Sequence, residues 1–461
     1  MIALGPTVHF GAKGSRFTTL TARGNRVRLV NIGICGLGTV GAGVYNVLGR
    51  NSQQINSRAN CDLVISQVGA RRDNPACDTS GANVTRDIFD VAKNPDIDIV
   101  VELIGGTEVA YELVMTALDH GKHVVTANKA LIAQHGMEIF AAAEARGLMI
   151  AYEAAVAGGI PIIKALREGL SGNRINWLAG IINGTTNFIL SEMDSKGREF
   201  ADVLTEAQEK GYAEADPTFD VEGIDAAHKL VIMTSLAFGM PLSLDGIYTD
   251  GITQLEPQDV SYARELGYAV KHLGITRQTD QGVELRVHPT LVPESCLIAG
   301  VNDVSNAVMV NADAVGTTLF YGPGAGSEPT ASSVIADIVD VARAMTADAE
   351  TWVPALGCNT AALKPQKIMD IQSIETSFYI RFSALDKPGV LSDITGIMAN
   401  AGISIEAIIQ KEQPAGEDYV NVIILTNVTK EKLLDAAVEN IEQLETVRGS
   451  VTFIRVEHLD Q

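Results

Sequence analysis

The sequence predicts an α/β protein that combines a Rossmann-type doubly wound parallel sheet, a middle α+β domain and a C-terminal ferredoxin-like module. Three observations support this fold class. The apolar run RLVNIGIC leads directly into the glycine-rich turn GLGTVG. Strand and helix patterns then alternate, which is typical of a parallel sheet covered by helices. From residue 377 onward the patterns follow the order β-α-β-β-α-β, which is the ferredoxin-like motif.

The first part of the chain alternates apolar strands with helices that end at glycine. We predict strands at 28–35, 63–68, 97–104, 123–126 and 148–151. Helical patterns at 111–120 and 137–146 are followed by Gly121 and Gly147. Glycine is favoured just after a helix because it adopts the left-handed conformation there. The alternation therefore indicates crossover helices between parallel strands.

The remainder of the chain changes to longer helices and strand-rich stretches. After about Glu153 we predict helices at 161–168, 200–210 and 223–237, a strand at 177–182, and two paired strands at 283–291 and 307–312. The C-terminal module is predicted to have strands at 377–384, 403–410, 419–426 and 450–456, with helices at 390–402 and 430–444. This module is predicted to be a separable domain.

Composition limits the classes of function. The 461 residues include 46% hydrophobic and 20% charged residues, without an apolar run of membrane-spanning length, so a soluble globular protein without a membrane partner is expected. The formal net charge of −21 argues against general nucleic-acid binding. The five cysteines are scattered and form no CxxC or metal-ligand spacing, which favours a reducing cytoplasmic location.

The glycine-rich turn has the spacing of a dinucleotide-binding loop. Gly36, Gly38 and Gly41 form G-x-G-x-x-G between a buried strand and a helix, with Thr39 and Val40 at the start of that helix. In this context backbone N–H groups approach a pyrophosphate at the helix N-terminus. The alternative is a tight turn with a structural role alone.

The end of the second strand bears on the choice of dinucleotide. An acidic residue at this place binds the ribose 2′-hydroxyl, whereas arginine accommodates a 2′-phosphate. The sequence has Arg71 and Arg72 there, followed by Asp73. NADP is therefore favoured, and NAD stays open because Asp73 can serve a ribose.

An acidic stretch, GYAEADPTFDVEGIDAAHKL, precedes a helix that becomes almost wholly apolar. Asp220 is expected to be the N-cap of that helix. Asp225 and Lys229 are four residues apart and therefore share a helix face. Their ordinary interpretation is a surface salt bridge. Because the neighbouring residues are apolar, the pair is instead predicted to be buried, and a buried charge pair indicates a functional site.

Several longer segments resemble one enzyme family. GKHVVTANKALIA at 121–133, EAAVAGGIPII at 153–163, INGTTNFIL at 182–190 and GYAEADP at 211–217 are similar to homoserine dehydrogenase in its long form with a C-terminal ACT domain. The resemblance extends from about Arg28 to the end of the chain. It implies NAD(P)-dependent interconversion of L-homoserine and L-aspartate 4-semialdehyde, in the biosynthesis of threonine, methionine and isoleucine.

The resemblance also implies roles for particular residues. The catalytic lysine of the family falls on Lys229, its aspartate partner on Asp225, and its substrate-binding glutamate on Glu214. Lys129, in the TANK motif, is implied to be a catalytic residue that contacts cofactor or substrate, and Asp225 is implied to contact substrate as well. The alternative for Lys129 is that it merely begins a helix. Gly326 falls in a further cofactor-side loop, where Ser327 and Glu328 depart from the residues that family members usually have.

Two more sites follow from the resemblance alone. EAAVAGG resembles a loop that holds a monovalent cation, which we expect to be sodium, through main-chain oxygens of Glu153, Val156, Gly158 and Ile160. The alternative is a glycine-rich turn with a packing role. The ACT module implies an amino-acid effector, L-threonine, near Asp386, Gly389 and Asn400, and a homodimer or homotetramer. Dimerisation without an effector is the alternative.

These inferences give the following expected organisation. Residues 1–27 are expected to be a flexible tail or to result from an upstream translation start. The expected domains are the NAD(P)-binding Rossmann domain at 28–152, the catalytic and dimerisation domain at 153–315 and the ACT regulatory domain at 373–461. Between the last two lie a segment that returns to the nucleotide-binding domain, at 316–350, and a linker, at 351–372. A different amino-acid or semialdehyde oxidoreductase, or a non-enzymatic sensor of dinucleotide and amino acid, are the competing functions.

Overall fold

A computed structural model describes residues 17–20, 26–410 and 418–459. The chain forms two compact units. The first comprises the described parts of 1–174, 231–244 and 320–365, and the second those of 175–230, 245–319 and 366–461. The C-terminal module, predicted as separable, thus belongs to the second unit. None of the helices in the described part of the chain combines the length and apolarity needed to cross a bilayer.

The predicted strands are present in the predicted order, and unpredicted strands are added along the whole chain. They are β1 (Phe17–Leu20), β2 (Arg26–Cys35), β3 (Asp62–Gly69), β4 (Asn83–Thr85), β5 (Ile99–Glu102), β6 (His123–Thr126), β7 (Ile150–Ala151), β8 (Ile175–Ile181), β9 (Tyr248–Thr249), β10 (Tyr268–Thr279), β11 (Gly282–Pro293), β12 (Ser305–Ala312), β13 (Gly316–Pro323), β14 (Glu375–Leu385), β15 (Ile405–Gln410), β16 (Tyr419–Thr426), β17 (Thr429–Lys430) and β18 (Val447–Val456).

The α-helices connect these strands and cover the sheets. They are α1 (Thr39–Arg50), α2 (Ser52–Ala59), α3 (Ile88–Lys93), α4 (Glu108–Asp119), α5 (Lys129–Arg146), α6 (Ile162–Lys164), α7 (Gly184–Lys196), α8 (Phe200–Glu209), α9 (Thr218–Val221), α10 (Ile224–Phe238), α11 (Pro257–Glu265), α12 (Ser327–Ala344), α13 (Val390–Asn400) and α14 (Glu431–Glu442). A π-helical turn, Ala165–Gly169, continues α6.

The first sheet is the predicted doubly wound parallel sheet. Its strand order is β4-β3-β2-β5-β6-β7, and every neighbouring pair in that order is parallel. The order reverses at β2, the strand that precedes the glycine-rich turn. Ligands of such sheets bind at the carboxyl ends of the strands beside this reversal. Within the predicted tail, β1 pairs antiparallel with β2, and residues 1–16 and 21–25 lie outside the described part.

The second sheet joins the C-terminal module to the strands before it. Its order is β13-β12-β8-β10-β11-β18-β14-β16-β15. The junction is a short parallel pairing of β11 with β18. The module has the predicted β-α-β-β-α-β order through β14, α13, β15, β16, α14 and β18. One face of its sheet packs on α13 and α14, and the other packs on helices that include α7, α8 and α11.

One strand pairing was predicted wrongly. The strand at 283–291 does not pair with the strand at 307–312. Instead β11 forms a long antiparallel hairpin with β10, in register from Tyr268 opposite Pro293 to Thr279 opposite Gly282, and β12 lies beside β8. A hairpin is favoured because its two strands are joined by only two residues. Strand β10 was not predicted from the sequence.

Candidate active site

Helix α10 carries a buried ion pair. Nζ of Lys229 lies 2.6 Å from Oδ2 of Asp225, and the two side chains are 11% and 3% exposed. The spacing of four residues brings them onto one face, as predicted. The residues around them, including Leu230, are buried and apolar. Burial of two charges is costly unless further hydrogen bonds satisfy them, so the surroundings of the pair are informative.

The end of β8 supplies those hydrogen bonds. Nζ of Lys229 donates to the carbonyl oxygen of Ile182 at 2.7 Å, and Nδ2 of Asn183 donates to Oδ2 of Asp225 at 2.9 Å. Asn183 also caps α7, because its Oδ1 accepts from the backbone N–H of Thr186 at 2.9 Å. Both ends of the Asn183 side chain are therefore engaged. This residue fixes the carboxylate of Asp225 relative to α7.

Asn183 has a role that the sequence analysis missed, and Asp220 does not have the role predicted for it. Asp220 is not the N-cap of α10, because it lies inside the separate short helix α9. A residue with a positive φ of 81°, Gly223, separates the two helices. Oδ1 of Asp220 instead accepts from Nδ2 of Asn183 at 2.7 Å. An Asn ahead of a helix, in INGTTNF, is a recognisable capping signal. Its second contact lies too far along the chain to be read from a local pattern.

Glu214 and His228 lie near this pair in the sequence but in different surroundings. Glu214 is exposed, in the turn between α8 and α9. The hydroxyl of Thr185 donates to the carbonyl oxygen of Tyr212 at 2.6 Å, and this bond ties the turn to the start of α7. The ring of His228 packs edge-on against Phe219, with centroids 5.4 Å apart. The contact gives His228 a packing role beside α9.

The glycine-rich turn has the shape that a dinucleotide requires. A Cβ atom on Gly36 would lie 2.4 Å from the carbonyl oxygen of Leu103, and one on Gly41 would lie 2.1 Å from that of Gly36. These two positions therefore exclude any side chain. Gly38, just before α1, has no atom within 4 Å of its own Cβ position and is exposed, as is Thr39. The loop is close-packed behind and open in front, which fits a pyrophosphate at the N-terminus of α1.

The predicted second cofactor-side loop contacts the first. Gly326 precedes α12 with a positive φ of 122°. The hydroxyl of Ser327 donates to the carbonyl oxygen of Thr39 at 2.8 Å, and Glu328 forms an ion pair with Arg50 at 2.8 Å. The two residues that depart from the family pattern thus both contact α1. Their effect is to hold α12 against the helix that follows the glycine-rich turn.

The end of β3 presents three charged residues to solvent. Arg71, Arg72 and Asp73 are all exposed. Nη2 of Arg86 lies 2.7 Å from Oδ1 of Asp73, and Nη1 of Arg86 donates to the carbonyl oxygen of Ala70 at 3.1 Å. The acidic residue that could have served a ribose is therefore paired with a cation. Arg86 was not identified from the sequence.

Lys129 is the first residue of α5 and is half-buried. A buried hydrogen-bond chain holds the turn before it. Oγ1 of Thr126 donates to Oε2 of Glu102 at 2.5 Å and accepts from the backbone N–H of Asn128 at 3.0 Å. Oδ1 of Asn128 caps α5 by accepting from the N–H of Leu131 at 3.1 Å. Burial raises the pKa of Glu102, and the hydrogen bond from Thr126 opposes that rise.

The EAAVAGG loop is buried at Glu153, Val156, Gly158 and Ile160. The carboxylate of Glu153 accepts two backbone N–H groups at the start of α6, from residues 163 and 164, each at 2.8 Å. It is therefore engaged as a helix cap. A cation in this loop would be held by main-chain oxygens, as the resemblance implies. The described residues contain no cluster of His, Cys, Asp and Glu side chains that could hold a metal ion.

The predicted effector residues do not converge in one chain. Asp386 and Gly389 lie in the exposed turn before α13, and Asn400 is the last residue of that helix. Eleven positions along the helix, at a rise of about 1.5 Å each, separate Gly389 from Asn400 by about 16 Å. Oδ1 of Asp386 accepts from Nε2 of Gln410 at 3.1 Å. The turn and Asn400 therefore belong to opposite ends of α13.

The nucleotide loop, the buried lysine–aspartate pair and the C-terminal module together define an NAD(P)-dependent oxidoreductase that acts on a CH–OH group and carries an ACT domain. The family model for the homoserine dehydrogenase NAD-binding domain matches residues 36–153, that for homoserine dehydrogenase matches 161–339, and that for the ACT domain matches 378–446. The chain belongs to the homoserine dehydrogenase family, as its motifs predicted.

Three relatives of known sequence or structure match between 68% and 94% of the chain. A homoserine dehydrogenase of Pseudomonas aeruginosa is 60% identical over 94% of this chain and 99% of its own length. A crystal structure of a homoserine dehydrogenase from Thiobacillus denitrificans matches with a TM-score of 0.89 at 55% identity, over 94% of this chain and 99% of that one. A hyperthermophilic archaeal homoserine dehydrogenase in complex with NADPH matches with a TM-score of 0.58 at 26% identity, over 68% of this chain and 97% of that one. These matches favour the dehydrogenase over the two competing functions.

Proposed function

We propose that this homoserine dehydrogenase uses Lys229 to transfer the proton and Asp225 to orient that lysine while L-homoserine and L-aspartate 4-semialdehyde interconvert. The observation that carries the proposal is the buried ion pair on α10, at 2.6 Å. A buried pair is expensive, and these two residues are the ones to which the family motif assigns the chemistry. Glu214 is proposed to bind the substrate.

Lys229 has one role in each direction of the reaction. The nicotinamide supplies the hydride for reduction and accepts it in oxidation. During reduction of the semialdehyde, hydride adds to the aldehyde carbon and its oxygen acquires alkoxide charge. The ammonium of Lys229 stabilises that charge and donates the proton that completes the hydroxyl group. In oxidation of homoserine the hydroxyl proton passes to the Lys229 amine.

Asp225 and Asn183 set the position of the amine. A lysine side chain has several rotatable bonds, and catalysis requires one position of Nζ. The carboxylate of Asp225 and the carbonyl oxygen of Ile182 both accept from Nζ, which fixes it from two directions. Asn183 holds the carboxylate in turn. Neither acceptor comes from solvent, so the arrangement does not reorganise when charge develops on the substrate.

We further propose that NADP is the preferred cofactor. Arg71 and Arg72 are exposed at the end of β3, where a 2′-phosphate would lie in this fold. Pairing of Asp73 with Arg86 supports the proposal, because that carboxylate is not available to a ribose without loss of the ion pair. The archaeal relative was solved with NADPH. Thr39, Val40, Gly326 and Lys129 are proposed to contact the cofactor.

The remaining proposals concern the cation, the effector and the assembly. Sodium is proposed to bind the main-chain oxygens of the EAAVAGG loop, since sodium prefers hard oxygen donors. L-Threonine is proposed to bind the ACT module and inhibit the enzyme, which is proposed to form a homodimer or homotetramer in the cytoplasm. Feedback by threonine would place the reaction in threonine, methionine and isoleucine biosynthesis. The separation of Asp386 and Gly389 from Asn400 implies that an effector bound by all three would lie between two chains.

One assay tests these proposals together. Purified protein is given L-homoserine with NADP or with NAD, in sodium-containing and sodium-free buffer, with and without L-threonine. Faster turnover with NADP, stimulation by sodium and inhibition by threonine are expected. Equal rates with the two cofactors would refute the role of Arg71 and Arg72. A rate that does not depend on sodium would refute the proposed cation site. A rate that does not depend on threonine would refute the proposed effector site.

A further inference from the structure

We infer that Arg455 and Tyr248 are positioning residues that fix the first turn of α10, so that the C-terminal module sets the geometry of the Asp225–Lys229 pair. The inference rests on the proposed catalytic role of that pair. It identifies a contact between the module and the active site that lies within a single chain and within one compact unit.

The first step is the anchoring of Arg455 in the C-terminal module. Arg455 lies on β18, opposite Thr290 of β11, and is 2% exposed. Its Nε and Nη2 atoms donate to the two carboxylate oxygens of Glu431, at 2.8 and 2.5 Å. Glu431 is the first residue of α14 and is also buried. A bidentate pair of this kind fixes the orientation of the guanidinium as well as its position.

The second step is the contact of the same guanidinium with β9. Nη2 of Arg455 lies 3.1 Å from the hydroxyl oxygen of Tyr248, and the guanidinium carbon lies 4.7 Å from the centre of the Tyr248 ring. A cation over the face of an aromatic ring is attracted by the negative charge density of that face. Tyr248 in turn pairs with Arg286 of β11, four residues before Thr290, which pairs with Arg455 itself.

The third step is the tight packing of β9 and the residues after it against the link between α9 and α10. The N–H of Ile252 donates to the carbonyl oxygen of Val221 at 2.9 Å. A Cβ atom on Gly251 would lie 2.6 Å from the same oxygen, and one on Gly223 would lie 3.0 Å from Cγ2 of Thr249. These two segments are therefore in direct backbone contact.

The first turn of α10 carries one member of the ion pair. Gly223 immediately precedes α10, and Asp225 is the second residue of that helix. A shift of β9 therefore moves the backbone of the first turn of α10, whereas Ile182 and Asn183, just after β8, hold the Lys229 amine and the Asp225 carboxylate. The position of the Lys229–Asp225 pair relative to Ile182 and Asn183 then depends on where Arg455 holds Tyr248. Displacement of a catalytic group by about 1 Å is sufficient to lower a rate about a hundredfold.

The test compares two tyrosines that each contact an arginine of β18. Tyr248→Leu removes both the ring and the hydroxyl that face Arg455. Tyr419→Leu is the matched control, because Tyr419 lies under Arg448 at 5.7 Å, and Arg448 is exposed. Homoserine oxidation is measured at saturating homoserine over a range of NADP concentrations, below the unfolding temperature of each variant. We expect Tyr248→Leu to lower kcat about tenfold, with an unchanged KM for NADP, and Tyr419→Leu to leave kcat near the wild-type value.

Tyr248→Phe distinguishes positioning from a general loss of structure. It keeps the ring under the guanidinium, so kcat is expected to recover most of the loss seen in Tyr248→Leu. If Tyr248→Leu does not fold, the test rests on Tyr248→Phe. Loss of one hydrogen bond in that variant is expected to lower kcat about threefold. An unchanged kcat in the folded Tyr248 variants, or an equal loss in Tyr419→Leu, would overturn the inference.

Failure of the proposed function has a different signature. If Lys229→Met oxidises homoserine at the wild-type rate, the catalytic role of the ion pair is wrong, and the inference falls with it. If Lys229→Met is inactive and Tyr248→Leu is fully active, the catalytic role stands and only the positioning role is refuted.

Discussion

Asn183 offers the sharpest test of how the ion pair is held. Replacement by alanine removes the donor to Oδ2 of Asp225, the donor to Oδ1 of Asp220 and the cap of α7. Loss of the cap lowers the free energy of unfolding by about 1 kcal/mol. A hydrogen bond to a charged group is worth about 1.5–3 kcal/mol. If the bond to Asp225 is fully needed in the transition state, kcat falls about 10- to 100-fold.

A second variant separates the two roles of Asn183. Asn183→Asp keeps an oxygen that can accept from the N–H of Thr186, so α7 retains its cap. It replaces the amide donor with a carboxylate beside Asp225 and Asp220, which repel it. We therefore expect Asn183→Asp to lose less of its cap stabilisation than Asn183→Ala and to be at least as poor a catalyst.

The matched control is Asn187, one turn further along α7. It is also buried, and its Nδ2 lies within hydrogen-bonding distance of the carbonyl oxygens of Val301, Asp303 and Ser305, at 3.3, 3.0 and 3.2 Å. Asn187→Ala is expected to lower thermal stability and leave kcat near the wild-type value. Steady-state homoserine oxidation and thermal unfolding are measured for all three variants. A kcat for Asn183→Ala within twofold of wild type, or an equal loss in Asn187→Ala, would refute the reasoning.

Three further predictions follow from other parts of the molecule. Replacement of Arg71 and Arg72 by alanine is expected to raise KM for NADP at least about tenfold without a comparable change in KM for NAD. The reason is that only NADP offers a 2′-phosphate for charge-assisted hydrogen bonds. Equal changes in the two KM values would contradict this prediction. Gly41→Ala is expected to abolish binding of both dinucleotides, measured by fluorescence titration with NADPH and NADH, since the added Cβ would lie 2.1 Å from a carbonyl oxygen of the same loop. Burial raises the pKa of Asp337 well above its usual range, and the neighbouring carboxylate of Glu153 raises it further. The Asp337 carboxyl group therefore keeps its proton to a higher pH in the folded protein than in the unfolded chain. The free energy of unfolding therefore falls as pH rises between the two pKa values, by up to about 1.4 kcal/mol per unit. Asp337→Asn is expected to reduce that fall. If thermal unfolding of the wild-type protein and of Asp337→Asn depends equally on pH between about pH 5 and about pH 8, Asp337 does not titrate in this way.

Local patterns were sufficient for the parts of the site that lie on one element. The spacing of Asp225 and Lys229 places them on one face of any helix, and the apolar residues around them predict burial. The glycines of GLGTVG are likewise adjacent in sequence and in space. These features could be read without knowledge of the rest of the fold.

Contacts between distant segments could not be read in the same way. Asn183 meets Asp225 across 42 positions of sequence, and its capping role alone explains an asparagine before a helix. Strand β11 is buried at nearly every position, including Glu284, Arg286 and His288, so it lacks the alternation that marks a half-exposed strand. Its charged residues are paired inside the protein, whereas sequence reasoning assigns such residues to solvent.

The central claim is that Lys229 transfers the proton. The most direct measurement compares Lys229→Met with Lys271→Met in homoserine-dependent reduction of NADP. Lys271 is also a buried lysine of the same compact unit, and its Nζ donates to the carbonyl oxygen of Val301 at 2.7 Å, away from the ion pair. Loss of a positioned acid–base group lowers a rate about 10²- to 10⁴-fold, and this loss is expected for Lys229→Met, with kcat near wild type for folded Lys271→Met. A near-normal kcat in Lys229→Met would contradict the account.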